Sequence, residues 1–533
     1  MFFNYEDDRE SDYFCGSLVL IAIDTDSETN AETYDVVDGQ QRLSTFILLA
    51  KVLATLFLER LTEESKEYLQ ESLNSRHGKK DRLNFNAIGF NSKKDFQYAL
   101  TSFNDAPISN NKNNYLKNAV CLKNYLRKKE IENINAFIKW LYFKVVFIKT
   151  TCPNISMALR IFSVLNARGL PLHAIDVFKV ELLKKLVKEK DQEEFVSRWN
   201  ALRQKCSKNK SKFPKRKENK REKNAAEILF SWYLTYLNPV TSGKNMEERL
   251  ADQFERLNKV PLEYLKGIED FYNAYCEVLE MPDRYVHLLS YKDDDYLIVI
   301  LCASLLHRYS ESEIEALKEL LVKFYYQDWV AGLAKSTHAQ TCCNIINALK
   351  EKKSVEDIAS VVKKYFKDEN TTQRFKENLQ DDHLYEKHKK ASKNSWLRPI
   401  LILVEYSMSD DPKPKRIQKD DYHIEHILPQ NPDPSSQWMK DFSEEERGLY
   451  THSLANLTLL GGTKNKQASN LDFKDKQKIY MGEEIRLNKK TTFKVMTCYK
   501  MTIDVAQYAE WTPKSLEKRK EELIQIIEGV LTL

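Results

Sequence analysis

Residues Tyr422–Gln430 read Tyr-His-Ile-Glu-His-Ile-Leu-Pro-Gln, and Asn456 and Asn465 follow in Leu-Ala-Asn-Leu-Thr-Leu-Leu-Gly-Gly-Thr-Lys-Asn-Lys. Neighbouring residues of a regular strand face opposite sides, so Glu425 and His426 serve one phosphate only if the strand ends or bulges there. Pro429 supports an ending, because it cannot donate to a central ladder and restricts the residue before it. A lone His-x-x-His, His423 and His426, reads most simply as core histidines on an apolar strand, with the asparagines as turn and cap residues. Glu-His-x-x-Pro followed by both asparagines asks for more. Hydrolysing a phosphodiester requires an activated water and a counter-charge for the phosphorane and leaving oxygen, which a histidine and one hard metal ion supply.

This set resembles the HNH (His-Me finger, ββα-metal) endonuclease motif. The resemblance implies that His426 is the general base, its unperturbed pKa of ~6.5 leaving a neutral imidazole near neutral pH. Glu425 and Asn465 would hold the metal, and their oxygen ligands suit Mg²⁺ or Mn²⁺. Asn456 would brace the loop carrying His426. His423 would be a second ligand or an outer hydrogen-bond partner, and the outer role is preferred. The family usually has Asp where this chain has Glu425, a longer carboxylate that still reaches a metal.

At 533 residues the chain exceeds one ordinary core. Glycine and proline are scarce, at 13 and 14, and 42% hydrophobic with 30% charged residues describes a helix-rich globular protein, which excludes a mainly disordered one. No run reaches the ~18 apolar residues needed to cross a bilayer, and the acidic start Met1 to Glu10 lacks a signal peptide's charge pattern, so a cytoplasmic protein without a membrane partner is expected. The nine cysteines form no Cys-x-x-Cys pair, which argues against a disulfide framework, a structural zinc and the zinc-bracketed HNH subtype. Net charge is only +5, yet Arg203 to Lys223 carries eleven Lys or Arg residues against Glu218 and Glu222. Such a run neutralises phosphates with salt-sensitive affinity, or is a solvated linker, since Phe213 is its only aromatic residue and Pro214 breaks a helix.

Near the amino terminus, Leu18 to Ile23 and Tyr34 to Val37 read as strands, the second entering Asp38-Gly39-Gln40-Gln41-Arg42 and an apolar helix from Leu43 to Phe57. A strand, tight turn and helix start place free amides and a positive dipole end together, a cradle for an anion with Arg42 as the clamp. Asp38 would hold a metal or orient water, although turns of this kind are common. Phe143 to Ile148 reads as a further strand, followed by a helix opening at Asn154 and closed by Gly169. In the closing stretch, Leu165 to Leu172, Asn166 reads as a turn residue, and beyond it Asp176 reads as an N-cap and Lys179 as a solvated helix residue.

Three motifs occur in order: Asp-Gly-Gln-Gln-Arg, then Leu-Asn-x-Arg-Gly-Leu-Pro-Leu-x-x-x-Asp-x-x-Lys, then Glu-His-Ile-Leu-Pro-Gln with Asn-Leu-Thr-Leu-Leu. That order is similar to the GmrSD-type family, and the similarity extends to Phe473, Lys476 and Tyr480 and to the Trp511-Thr512 helix start. The resemblance implies a bacterial defence protein of the type IV, modification-dependent restriction class, in which a ParB-like or sulfiredoxin-like nucleotidase half controls an HNH nuclease. Carried over, Asp38, Gly39, Gln40, Gln41 and Arg42 would form the nucleotide site, with Asn166, Arg168, Asp176 and Lys179 as second contributors. Family members carry a further segment, with a Tyr-Gln-Arg-like motif, before the position matching Tyr13 to Ser17, where this chain has Met1 to Ser11. NTP hydrolysis is therefore expected less firmly than the nuclease activity.

The expected architecture is α+β and predominantly helical. It comprises a ParB-like α/β domain at 1–195, a basic linker at 196–224, a helical connecting region at 225–400 and a ββα-metal domain with a final helix at 401–533. Within the connecting region, Ser310 and Glu313 are spaced as a capping box ahead of Ile314, Leu317, Leu321 and Phe324, and a second helix starts at Ser354. Thr512 as N-cap and Pro513 at N1 open the final helix. The expected function is metal-dependent cleavage of foreign, chemically modified phage DNA under nucleotide control, with homo-oligomerisation left open. The rivals are a non-catalytic nucleotide-switched DNA-binding regulator and an RNA-directed nuclease.

Overall fold

The computed structural model describes the chain except residues 1–4, 7, 26–31, 75–82, 84–89, 105–112, 130, 155–156, 159–160, 162–173, 219–220, 242, 244–245, 256–259, 282, 391–394, 419–420, 488–489 and 492–494. Helices predominate and the sheets are small, an α+β chain as expected. It divides into two compact units, Met1–Leu234 with Ser242–Glu269, and Thr235–Thr241 with Asp270–Leu533. The helices expected to form one connecting region are thus shared between the units. No described helix is long and apolar enough to cross a membrane.

In the first unit β1 (Tyr13–Thr25) and β2 (Glu32–Asp38) precede α1 (Gln40–Leu56), α2 (Glu63–Leu73), α3 (Phe90–Ser102), α4 (Asn114–Lys128), α5 (Ile134–Phe143) and β3 (Val145–Cys152). The sheet order is β2-β1-β3, with β1 antiparallel to β2 and parallel to β3. Parallel neighbours need a crossover, which α1 to α5 provide. Val19, Ile21, Val37 and Cys152 form a small core on the sheet. Leu48, Val52 and Leu53 of α1 meet Leu116 and Ala119 of α4 and Phe137 and Ile138 of α5 in a larger one. The third strand starts at Val145 rather than Phe143, because Phe143 still belongs to α5.

Asn154 accepts the Met157 amide at 2.9 Å, the helix start expected there. The helix α6 (Ala174–Lys184) opens before Asp176, so Asp176 is not its N-cap. The basic stretch is folded where a linker was expected. In α7 (Glu189–Lys208) the buried Phe195, Trp199, Leu202 and Cys206 recur at helical spacing. A short antiparallel ribbon, β4 (Lys217–Glu218) and β5 (Arg221–Glu222), then leads into α8 (Ala225–Leu237).

The second unit begins with helices that include α9 (Asp295–Leu306), α10 (Glu311–Val330), α11 (Lys335–Lys350), α12 (Val355–Asp368) and α13 (Thr371–Leu379). Both expected helix starts carry full capping boxes, Ser310 with Glu313 and Ser354 with Asp357. Ile314, Leu317, Leu321 and Phe324 are buried as a core stripe. After α14 (Leu384–Lys390) and α15 (Leu397–Ser407) come β6 (His423–His426), β7 (Leu457–Leu460), α16 (Gly462–Ala468), α17 (Phe473–Met481), α18 (Lys500–Val505) and α19 (Pro513–Leu531). Pro513 opens α19, although Thr512 makes no side-chain capping bond.

One polar network lies inside this helical core. The His338 ring, 1% exposed, sits 3.0 Å from Asp294 Oδ2 through Nε2 and 3.0 Å from Asp328 Oδ2 through Nδ1. The Tyr365 hydroxyl donates to Asp328 Oδ1 at 2.6 Å. Burial opposes charging of the imidazole, but the hydrogen bonds and charges of the two carboxylates outweigh it and raise its pKa from 6.5 to about 9. A folded-state pKa above the unfolded one contributes stability that is complete below about 6.5 and lost as pH rises through about 9. The thermal midpoint should therefore fall across that interval, by the equivalent of roughly 3 kcal/mol at most. In His338→Gln the midpoint should be lower at pH 6.5 and that slope should vanish; an unchanged pH dependence in the variant would refute the assignment.

Candidate active site

β6 and β7 are antiparallel, with His423 opposite Leu460, Glu425 opposite Thr458 and His426 opposite Leu457. Strand alternation puts His423 and Glu425 on one face and Ile424 and His426 on the other. The strand ends at His426. Asn456 makes that ending rigid. Its Oδ1 accepts from the Leu428 amide at 2.7 Å, and its Nδ2 donates to the carbonyls of Leu428 at 2.8 Å and Thr451 at 3.0 Å. The Trp511 indole donates to the same Oδ1 at 3.3 Å, and Asn456 is wholly buried. The Ile427 amide still donates to the Asn456 backbone carbonyl at 3.0 Å, and at Leu428 the amide side chain stands in for the strand partner. Arg519 of α19, 1% exposed, fixes the same turn by donating to the carbonyls of Ala455 and Leu457.

On the first face Glu425 turns inward. Its Oε1 accepts from Lys476 Nζ at 2.6 Å and from the Tyr480 hydroxyl at 3.1 Å, both from α17. Lys476 also donates to the His426 carbonyl at 2.7 Å, and Glu425, Lys476 and Tyr480 are all buried. Burial raises the Glu425 pKa against the pull of Lys476, and burial lowers that of Lys476 against the pull of Glu425. The exposed His423 begins this face, its Nε2 3.2 Å from where a Cβ on Gly462 would stand. It lies against the start of α16, not beside His426.

On the second face His426 is 7% exposed. Its Nδ1 lies 3.3 Å from Gln430 Nε2, and its Nε2 is buried without a hydrogen bond. Tyr385 of α14 covers the ring edge-to-face, with centroids 4.2 Å apart. His452 adds a second imidazole at 5.5 Å, stacks on Tyr385 at 5.8 Å, and accepts the Tyr385 amide through its carbonyl at 3.0 Å. Burial first, then the charges of His452, Lys476 and Lys389, lower the His426 pKa to about 3. The ring is neutral at physiological pH but a feeble base while it stays covered.

Asn465 stands on α16 with its Oδ1 buried and unbonded. An orphaned carboxamide oxygen is a donor that fits a hard divalent ion. Glu425 does not fit, because its carboxylate is engaged by Lys476 and Tyr480 on the face away from His426. Among the described residues no three His, Cys, Asp or Glu groups gather as a metal site. The arrangement thus brings His426 and Asn456 together, and separates Glu425 and His423 from them. Tyr385 and His452 are absent from the sequence reading. Nothing in the local sequence marks either, since each reaches His426 from a different stretch of chain.

In the first unit Asp38 closes β2, and Gly39 caps α1 with φ 103°. A Cβ there would overlap Leu18, so only glycine fits. Arg42 Nη2 meets Asp38 Oδ2 at 2.9 Å, and its Nη1 donates to the Ser17 carbonyl. Gly16, also at φ 103°, lets the guanidinium pass, since a Cβ would stand 2.6 Å from Nη1. Gln40 Nε2 donates to the Val36 carbonyl at 2.8 Å, and Gln41 is exposed. No side chain caps the first turn of α1. Asn166 and Arg168 lie outside the described residues. The Asp176 side chain does too, while Lys179 is half-buried on α6.

Asn456→Ala removes the partners of a buried amide and two buried carbonyls, each costing ~1–3 kcal/mol when orphaned. Chemical denaturation should show a loss of at least about 3 kcal/mol. A change below about 0.5 kcal/mol, the range of inert surface substitutions, would mean that the side chain braces nothing.

Two family models match the chain. The GmrSD restriction endonuclease N-terminal domain matches residues 3–183, and the C-terminal domain of GmrSD restriction endonucleases matches residues 369–526. A search of curated proteins finds no match. The C-terminal match contains Tyr385, His426, Asn456, Asn465 and Lys476, and the N-terminal match contains the Asp38 to Arg42 turn. With both domains matched in order, this chain belongs to the GmrSD-type family of type IV restriction endonucleases.

Proposed function

We propose that this restriction endonuclease hydrolyses DNA phosphodiesters at an HNH-type site in which His426 accepts the proton of the attacking water. The observation that carries the reading is the orphaned His426 Nε2, held at the end of β6 by Asn456. A buried ring nitrogen without a partner costs free energy, and such groups concentrate where a substrate or proton supplies the partner. Asn465 Oδ1 supports a Mg²⁺ or Mn²⁺ ion as cofactor, which when bound would supply charge to the scissile phosphate. Access to His426 then requires Tyr385 and α14 to move. Uncovering the ring also removes much of the burial that depresses its basicity, so one motion exposes the base and strengthens it.

Closure has a physiological logic, since a nuclease that is always open would attack the host chromosome. The reading assigns control to nucleotide binding at Asp38 to Arg42, where the uncapped amides of α1 and the Arg42 fork offer donors to a phosphate. The substrate in this reading is chemically modified foreign DNA. A second reading, a nucleotide-switched regulator that keeps the nuclease fold as scaffold, is favoured by the covering of His426 and the inward turn of Glu425.

Incubation with Mg²⁺ or Mn²⁺ and unmodified, hydroxymethylated, glucosylated or phosphorothioated DNA separates the two. Cleavage should stop with a chelator and fall at least ~100-fold in His426→Ala, the scale of a lost general base. Tyr385→Ala should raise basal cleavage several-fold while Tyr385→Phe, which keeps the ring, stays at the wild-type level. Cleavage in His426→Ala at the wild-type rate removes the base, and no cleavage by any variant on any substrate selects the scaffold.

Arg42→Ala should weaken NTP binding by roughly 10- to 100-fold, the scale of a lost charge-assisted hydrogen bond. Calorimetric titration yielding equal affinity for wild type and variant would contradict the nucleotide site.

A further inference from the structure

The first unit carries a charged surface of its own. Between Arg203 and Lys217 the chain carries eight cations and no acid. Lys205 and Lys208 occupy the last turn of α7, where the negative end of the helix dipole favours them. That account ends with the helix. Lys210, Lys212, Lys215 and Lys217 continue past it and are exposed, and in the ribbon Lys217 pairs with Glu222 and Arg221 with Glu218.

The segment is pinned to the fold. Phe213, 7% exposed, stacks on the buried Trp232 of α8 with centroids 5.8 Å apart and planes 16° from parallel. The Lys223 amide closes the ribbon onto the Arg216 carbonyl at 2.8 Å. A solvated linker would spread its charges to relieve their repulsion, whereas this anchor holds them together. Unit charges kept close on a fixed frame favour a polyanion with regularly spaced charges over a single acidic side chain.

We propose that the α7 end and the β4–β5 ribbon form a docking surface for the phosphate backbone of duplex DNA, apart from the phosphate that is cleaved. The inference deepens the DNA reading of the proposed function by giving this substrate a second point of attachment. Lysines on a backbone-tracking surface carry affinity without sequence preference, so recognition of a modification lies elsewhere. Each lysine that neutralises a phosphate releases counterions, and binding then weakens with salt along a log–log line whose slope counts the contacts.

The test measures binding of the full chain to a fluorescent unmodified duplex by anisotropy across a salt series, in the His426→Ala background so that the duplex survives. Substituting Lys205, Lys208, Lys210 and Lys215 together by Gln should flatten the slope by about 3 to 4, at ~0.9 per lost phosphate contact. Replacing the same four by Arg should restore it. Circular dichroism identical to the parent excludes misfolding, and exposed positions tolerate such changes within about 0.5 kcal/mol. A slope unchanged in the Gln variant overturns the surface, whether the lysines serve an acidic protein or only solvent. Cleavage, assayed separately with His426 intact, keeps the two proposals distinct. Lysine-dependent binding by a protein that cuts nothing supports the surface and removes the nuclease, whereas cleavage with an unchanged slope does the reverse.

Discussion

Adjacent side chains of β6 must point to opposite faces, and that constraint organises the second unit around Glu425 and His426. Glu425 goes inward to Lys476 and Tyr480, tying the strand to α17. His426 goes the other way, to Tyr385 and His452. Lys476 touches both residues at once, through the Glu425 carboxylate and the His426 carbonyl. A buried pair of this kind is poor evidence for net stability, because desolvation offsets the attraction, but losing one partner leaves a buried charge uncompensated. Its role here is to fix which way β6 faces, and with it the orientation of the His426 ring.

The rest of the site is built to stop the strand at one residue. Asn456 replaces the ladder at Leu428 with side-chain hydrogen bonds, and Arg519 and Trp511 close around it from the final helix and its approach. These are buried polar networks, costly when incomplete and rigid when satisfied. The exceptions are therefore informative. His452 Nδ1 and Arg519 Nε and Nη2 are buried without partners in this neighbourhood, and so are His426 Nε2 and Asn465 Oδ1, the last two on side chains that hydrolytic chemistry would use.

Much of this was legible in the sequence where a pattern is local. The helix caps at Ser310 and Ser354, the end of the strand before Pro429 and the strand, turn and helix at Asp38 to Arg42 all depend on near neighbours. Lys476 and Tyr480 were visible only through family resemblance, and their grip on Glu425 was not. What periodicity cannot convey is which distant stretch lies over a side chain. Tyr385 and His452 reach His426 through tertiary packing alone, and the apolar face of α7 was hidden beneath a charge run that resembles a linker. Glu425 shows the same limit from the other side: the family resemblance implied a metal ligand, while the fold supplies a lysine.

The central claim is that His426 is a proton acceptor kept shut beneath Tyr385, and side-chain reactivity tests it most directly. Carbethoxylation of each histidine, followed by mass spectrometry of the intact chain's peptides, compares His426 with the exposed His423 in one sample. The account predicts that His426 reacts far more slowly than His423 in the native protein, and that truncating Tyr385 to alanine brings its rate up towards that of His423. Equal rates for the two histidines in the native protein, or a His426 rate untouched by the truncation, would contradict it.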